Sequence, residues 1–264
     1  MALHVAAGNL RSRPSRSESS LGLNRATPLG RVSMGGYYRS HLVGPRLQQV
    51  YEVASPRIRQ YLRAEIGNVV DQVRDLDRVL ELGCGYGRVL AEVAPYVRRT
   101  TGIDIARGNL QWATSYLRAY RNCDLALMNA VRLGFQDARF DATICVQNGV
   151  SAFGVDRSQL VAEAIRVTKE GGRILFSTYS PRFWAERLDW FRAQARAGLV
   201  GELDASQTTE GTIVCQDGLR LTTTSGEEFR ALFGDLGQQA EIREIDGSSI
   251  FAEVTKRPSA RRPR

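Results

Sequence analysis

Three glycines, Gly83, Gly85 and Gly87, stand at alternate positions behind an apolar run that carries one acid, Glu81. Glycine reaches unusual backbone angles and leaves no side chain between the backbone and a ligand. A strand feeding such a loop, with a helix after it, is how an α/β protein grips a nucleotide-like ligand. The pattern here is GxGxG. The dinucleotide fingerprint GxGxxG would need a third glycine at position 88, where this chain has Arg88. Glu81 also departs from dinucleotide-binding strands, which stay apolar at that point. Its carboxylate suits a ligand with a cationic or donor-rich end better than a pyrophosphate. Asp104 ends a second apolar stretch 17 residues past Gly87, where its carboxylate is placed to accept two ribose hydroxyl hydrogen bonds.

The elements that must position these groups follow from hydrophobic spacing. Residues 44–70 recur at helical spacing, with Pro56 opening a second helix after Ser55. Residues 77–85 read as a strand running into the glycine loop, and 88–97 as a helix. Strands are expected at 98–106, 123–130, 140–148 and 173–180, with helices at 109–121 and 157–172, the latter stopped by Gly171–Gly172. This alternation predicts an α/β fold with a doubly wound, mostly parallel sheet. After Pro181 the rhythm changes to an amphipathic helix carrying Trp184, Trp190 and Phe191, then a β-hairpin turning at Asp217–Gly218. A helix with a capping-box start at Ser225 and Glu228 and two terminal strands joined through Gly247 complete the chain.

Taken together, ELGCGYG (81–87), GIDIA (102–106), MNA (128–130), FDATICVQN (140–148) and KEGGRILFSTYS (169–180) resemble the class I S-adenosylmethionine-dependent methyltransferases. The resemblance covers residues 70–180 and, more weakly, 225–255. It implies a seven-stranded sheet with an antiparallel terminal strand. An N-terminal helical lid over 34–69 and a helix and β-hairpin insertion over 181–224 would elaborate a single domain spanning 34–255. It implies S-adenosylmethionine as cofactor and S-adenosylhomocysteine as product. Carried over by position, Glu81 lies near the methionine amino end, and Gly83, Cys84, Gly85 and Gly87 let the backbone approach. Asp104 takes the ribose hydroxyls, Ile105 packs on adenine, Asn129 and Ala130 meet the adenine edge, and Gln147 lines the methionine moiety. Asn129 stands where the family often has Asp, so its oxygen accepts without charge assistance. Tyr38 belongs to the N-terminal segment expected to close over the cofactor.

Charge and composition bound the partners. The 264 residues carry a net +8, but the basicity sits at the ends: residues 1–33 contribute +4, 256–264 contribute +5, and 34–255 sum to −1. The two ends read as disordered, and 1–33 also has the Arg- and Ser-rich composition of an organelle transit peptide. Basic tails attract polyanions without forming a recognition groove. No apolar run is long enough to cross a bilayer. Four unpatterned cysteines read as free thiols in a reducing compartment, and with two histidines no metal site is expected. The expectation is a cytoplasmic enzyme.

The resemblance implies methyl transfer by in-line displacement to a nucleophilic N, O or S atom of a small-molecule acceptor. Two alternatives stand beside it: an RNA methyltransferase assisted by its basic tails, and a catalytically silent cofactor-binding subunit. No catalytic base stands out. His41, Tyr38 and Tyr179 are candidates by type and place. Aromatic residues in 35–61 and 181–224 are free to wall an acceptor pocket over the carboxyl edge of the sheet.

Overall fold

The computed structural model describes residues 34–258; the extension expected over 1–33 and the tail beyond 258 lie outside the described residues. Nine strands form among them: β1 (Arg78–Leu82), β2 (Arg99–Asp104), β3 (Cys123–Leu127), β4 (Phe140–Cys145), β5 (Thr168–Tyr179), β6 (Ile213–Val214), β7 (Arg220–Leu221), β8 (Glu241–Ile245) and β9 (Ser249–Thr255). Seven make one sheet in the order β3-β2-β1-β4-β5-β9-β8. The first five in chain order run parallel, and β9 enters antiparallel between β5 and β8. The sheet order reverses between β1 and β4, which opens a crevice at their carboxyl ends.

The helices are α1 (Met34–Ser40), α2 (Pro45–Glu52), α3 (Pro56–Val73), α4 (Arg88–Val93), α5 (Arg107–Tyr116), α6 (Gly149–Ala152), α7 (Arg157–Val167), α8 (Trp184–Arg196) and α9 (Gly226–Gly234). Ser55 caps α3 by accepting from the Ile58 amide, and Ser225 and Glu228 form the expected capping box on α9. Alternate strand residues bury on opposite faces. Val79, Ile144 and Leu175 pack with Ile66, Val69 and Val73 of α3. Leu80, Cys145, Ile174 and Phe176 pack with α7 and with Phe229 and Phe233 of α9. Because both faces are covered, the strands read as near-continuous apolar runs.

A separate apolar cluster joins the N-terminal helices to the insertion: Tyr37, Val50, Ile58 and Tyr61 pack with Phe183, Trp190, Phe191 and Leu221. The N-terminal helices and the 181–224 segment, expected as two separate elaborations, share one core. The Trp190 indole donates to the Val50 carbonyl at 3.0 Å, so Trp190 and Phe191 serve to dock α8 on α2.

Two boundaries differ from the sequence reading. Helix α7 ends at Val167, before Gly171–Gly172, and those glycines lie inside β5. The β4–β5 register shifts there, from Phe140 opposite Thr168 to Ala142 opposite Arg173, and a Cβ on Gly172 would press on the Asp141 carbonyl. The glycine pair therefore serves a bulge rather than a helix stop. At the other end, Lys256 is part of the folded body. It is buried, its ammonium donates to the Thr168 carbonyl at 2.7 Å, and its amide pairs with Gly172.

No helix among the described residues is long and apolar enough to cross a membrane. The four cysteines are unpaired, with Cys84, Cys145 and Cys215 buried and Cys123 half-buried.

Candidate active site

A cavity of about 160 Å³ opens at the carboxyl ends of β1, β2, β3 and β4. Of the cofactor residues named from the sequence, Tyr38, Glu81, Gly83, Cys84, Gly85, Asp104, Ile105, Asn129, Ala130 and Gln147 all line it. Gly87 does not. It caps α4 in the left-handed region, with φ at 90°, and a Cβ there would strike Leu117 beyond α5. Its lack of a side chain serves packing of the loop on α5. Gly83 and Gly85 are also left-handed, at φ 72° and 54°, and both face the cavity. A Cβ on Gly83 would overlap the Phe153 ring, and one on Gly85 would press on Leu47.

Asp104 organises this floor. One carboxylate oxygen accepts from the Gly85 amide at 2.9 Å and the other from the Ala106 amide at 2.7 Å. Asn109 of α5 adds a longer contact of 3.4 Å, and its own side-chain oxygen accepts from the Gly44 amide at 2.8 Å. One hydrogen-bonded series thus runs from the loop before α2, through α5, to the glycine loop. Burial pushes the Asp104 carboxyl up, and the amides of Ala106 and Gly85 hold it down.

Glu81 is the least satisfied acid of the cavity wall. It is 4% exposed, and its Oε2 is buried without a hydrogen-bond partner. Burial raises its carboxyl to about 8, opposed by the Arg88 guanidinium and reinforced by Asp104. Gln147 carries a buried Nε2 that completes no hydrogen bond, although its side chain lies toward Glu65 and helps to hold that carboxyl down. Gln147 and Asn148 follow β4 with φ at 56° and 61°, a left-handed pair without glycine. The Gln147 backbone N–H donates to Glu65 Oε1 at 3.2 Å and to Ser177 Oγ at 2.9 Å, while Asn148 is tied to the Thr222 carbonyl and the Thr178 hydroxyl.

An orphan acceptor and an orphan donor on one wall match a ligand end that carries both an ammonium and a carboxylate. Asn129 is more committed than expected, since its side-chain oxygen accepts from the Val131 amide in its own turn at 3.1 Å. Arg88, in place of a third glycine, lies with its guanidinium carbon 4.6 Å from the centre of the Tyr51 ring, beside the floor.

Residues 79–172 match a family described as a methyltransferase domain. Over these residues the chain carries a methyltransferase domain of the class I S-adenosylmethionine-dependent kind. It is 28% identical over 158 residues to the 2-methyl-6-phytyl-1,4-hydroquinone methyltransferase of Synechocystis sp., a match covering 53% of this chain and 48% of that protein. Against the demethylmenaquinone methyltransferase of Tropheryma whipplei it is 33% identical over 107 residues, covering 39% of this chain and 42% of that protein. The chain thus spans about half the length, or less, of these curated relatives. A solved DhpI–SAH complex superposes with a TM-score of 0.59 at 18% identity, covering 88% of this chain and all of that one, which shows a shared fold. The cofactor of this family is S-adenosylmethionine.

Other residues of this methyltransferase site escaped sequence reasoning. Glu65 of α3 is fully buried, accepts from the Ser177 hydroxyl at 2.6 Å, and leaves its Oε2 without a partner. In sequence it is one acid in an amphipathic helix. Asn109 had a usable signal, because a polar residue in the first turn after Asp104 can return to that carboxylate. Among the candidate bases, His41 is exposed, stacks on Tyr37 with ring centres 4.5 Å apart, and lies outside the cavity wall. Tyr38 is on the wall, and Tyr179 stands behind it against Tyr61. Burial raises both phenols well above their ordinary value, so neither is a ready base.

Proposed function

We propose that this chain transfers the methyl group of S-adenosylmethionine to a nucleophilic atom of a small aromatic acceptor. The carrying observation is that the cavity wall includes Glu81, with an unpartnered buried carboxylate oxygen, and Gln147, with an unpartnered buried side-chain nitrogen. When bound, the cofactor supplies an electrophilic methyl carbon on a sulfonium. Glu81 would accept from its ammonium and Gln147 would donate to its carboxylate. Asp104 would use its remaining lone pairs for the ribose hydroxyls. Glu65 and Ser177 hold the Gln147 backbone in its left-handed conformation, so the backbone that carries the side-chain amide is fixed before any ligand arrives.

The acceptor side belongs to the cover. Tyr38, Leu47 and Tyr51 come from α1 and α2, and Phe153 closes the wall from beyond β4. These apolar faces would exclude water and hold an aromatic ring near the methyl carbon. The two curated relatives, named for hydroquinone and menaquinone substrates, support a small aromatic acceptor. With no ready base on the wall, the reading favours an acceptor that attacks without first losing a proton to the protein.

The deciding experiment incubates the full chain with methyl-labelled S-adenosylmethionine and fractionated cell extract. Label is expected in small organic-soluble molecules. Label in RNA that vanishes when residues 1–33 and 259–264 are removed would favour the RNA reading, and cofactor binding with no transfer would favour a silent subunit.

A further inference from the structure

Arg187 of α8 is 1% exposed, yet two of its guanidinium nitrogens, Nε and Nη2, have no hydrogen-bond partner. The third, Nη1, reaches only the Gly211 carbonyl at 3.4 Å. The groups that oppose the fall in its pKa caused by burial are the phenols of Tyr179, Tyr61 and Tyr38, with no carboxylate among them. An arginine cannot escape this position by losing its proton. A buried charge without a counter-charge is costly, and proteins keep one where something else completes it.

Aromatic rings satisfy the faces of the guanidinium. Its central carbon lies 4.5 Å from the centre of the Tyr179 ring and 5.9 Å from those of Trp184 and Phe191. The rings leave the edge free. Nε and Nη2 lie on the same edge of the planar group and together form the fork that receives both oxygens of a carboxylate. Tyr38, whose phenol feels the Arg187 charge, also walls the cofactor cavity, so Arg187 and that cavity share Tyr38 as a neighbour.

We infer that Arg187 is the anion-recognition residue for the acceptor: it receives a carboxylate on an aromatic ring whose nucleophilic atom points past Tyr38 toward the cofactor cavity. This rests on the reading that the acceptor lies beneath the α1–α2 and α8 cover. Tyr38, Tyr179 and Trp184 are each only partly buried, and a flat ring would enter between them.

The test uses the full chain saturated with S-adenosylhomocysteine, with sodium benzoate and its uncharged isostere benzamide as probes in thermal unfolding and calorimetry. Benzoate is expected to raise the Tm of the wild type, and benzamide to have at most about a tenth of its affinity, the loss expected for a missing charge-assisted fork. Arg187→Met should abolish the benzoate response and raise the ligand-free Tm, because an apolar side chain of similar length relieves the unpaired charge. Arg187→Lys keeps the charge without the fork and should weaken benzoate by about tenfold, which preserves the test if the Met variant misfolds. Equal responses to the two probes, no benzoate response in the wild type, or a benzoate response surviving in either variant at full strength would overturn the assignment. S-adenosylhomocysteine affinity is titrated separately in each protein. Its absence from the wild type strikes the cofactor reading, and its retention with loss of benzoate isolates Arg187.

Discussion

Tyr37 and Asp217, 180 positions apart in the chain, are joined by a 2.6 Å hydrogen bond from phenol to carboxylate. The same carboxylate oxygen accepts from the Gly201 amide at 2.6 Å, so one side chain fastens both α1 and the start of the hairpin segment. Tyr37→Phe should cost about 1 kcal/mol, the usual net worth of a hydrogen bond with one exposed partner. Asp217→Ala should cost more, because the Gly201 amide is orphaned as well. Thermal unfolding gives the first measure, and faster amide hydrogen exchange confined to α1 gives the second. Exchange that stays unchanged in α1 would mean that the apolar cluster alone holds the cover.

Asp104→Ala should affect the ligand-free protein and the complex alike. Two buried amides, those of Gly85 and Ala106, lose a charged acceptor. Each such bond contributes roughly 1.5–3 kcal/mol before water compensates. A lower ligand-free Tm and at least about a tenfold loss of S-adenosylhomocysteine affinity are expected. Asp104→Asn retains one accepting oxygen and should fall between. Calorimetry that finds wild-type affinity in Asp104→Ala would remove the carboxylate from the ribose site.

Glu81 imposes a pH dependence whose sign can be stated. Its folded value of about 8 lies above the ordinary 4.5. Between those values the folded protein holds a proton that the unfolded chain releases, so stability falls as pH rises through that window. Glu81→Gln should remove this slope, and its Tm advantage over the wild type should grow up to pH 8 and then level off. A cofactor ammonium favours the carboxylate form. Binding below pH 8 should therefore release a proton, and affinity should climb with pH until that point. Titrations in two buffers of different ionisation heat count the proton. Zero release at pH 6–7 would contradict the assignment.

Gly83 and Phe153 should behave as a coupled pair. Gly83→Ala forces both a left-handed alanine and an overlap with the Phe153 ring. Removing the ring relieves the second cost only. A double-mutant cycle with Phe153→Ala, read by chemical denaturation, should give a favourable coupling of roughly 0.5–3 kcal/mol. Strict additivity would place the ring elsewhere than over the loop.

What the sequence disclosed was local. The glycine loop, Asp104, the strand alternation and the Ser225 capping box each depend on residues a few positions apart, and each is found in place. Gly87 and the Gly171–Gly172 pair were visible as glycines, but the neighbours that require them, Leu117 and the Asp141 carbonyl, come from other elements. Glu65, Arg187 and the Tyr37–Asp217 bond escaped for the same reason. Their partners lie many residues away, and no periodicity marks a buried charge on a helix as different from a solvated one.

The floor of the cavity and its cover come from different stretches of chain. Glu81, Asp104, Asn129 and Gln147 fall inside the 79–172 block shared with relatives, whereas Tyr38, Leu47 and Arg187 fall outside it. Selection can therefore act on the cover while the floor is kept, provided that the Gly44–Asn109 link between them is retained. If the cover selects the acceptor as proposed, lineages that keep the block intact could exchange covers, and the taste for an acceptor would be inherited apart from the ability to hold the cofactor. A chimera carrying this block under a relative's flanking segments would be expected to change what it methylates while keeping what it methylates with.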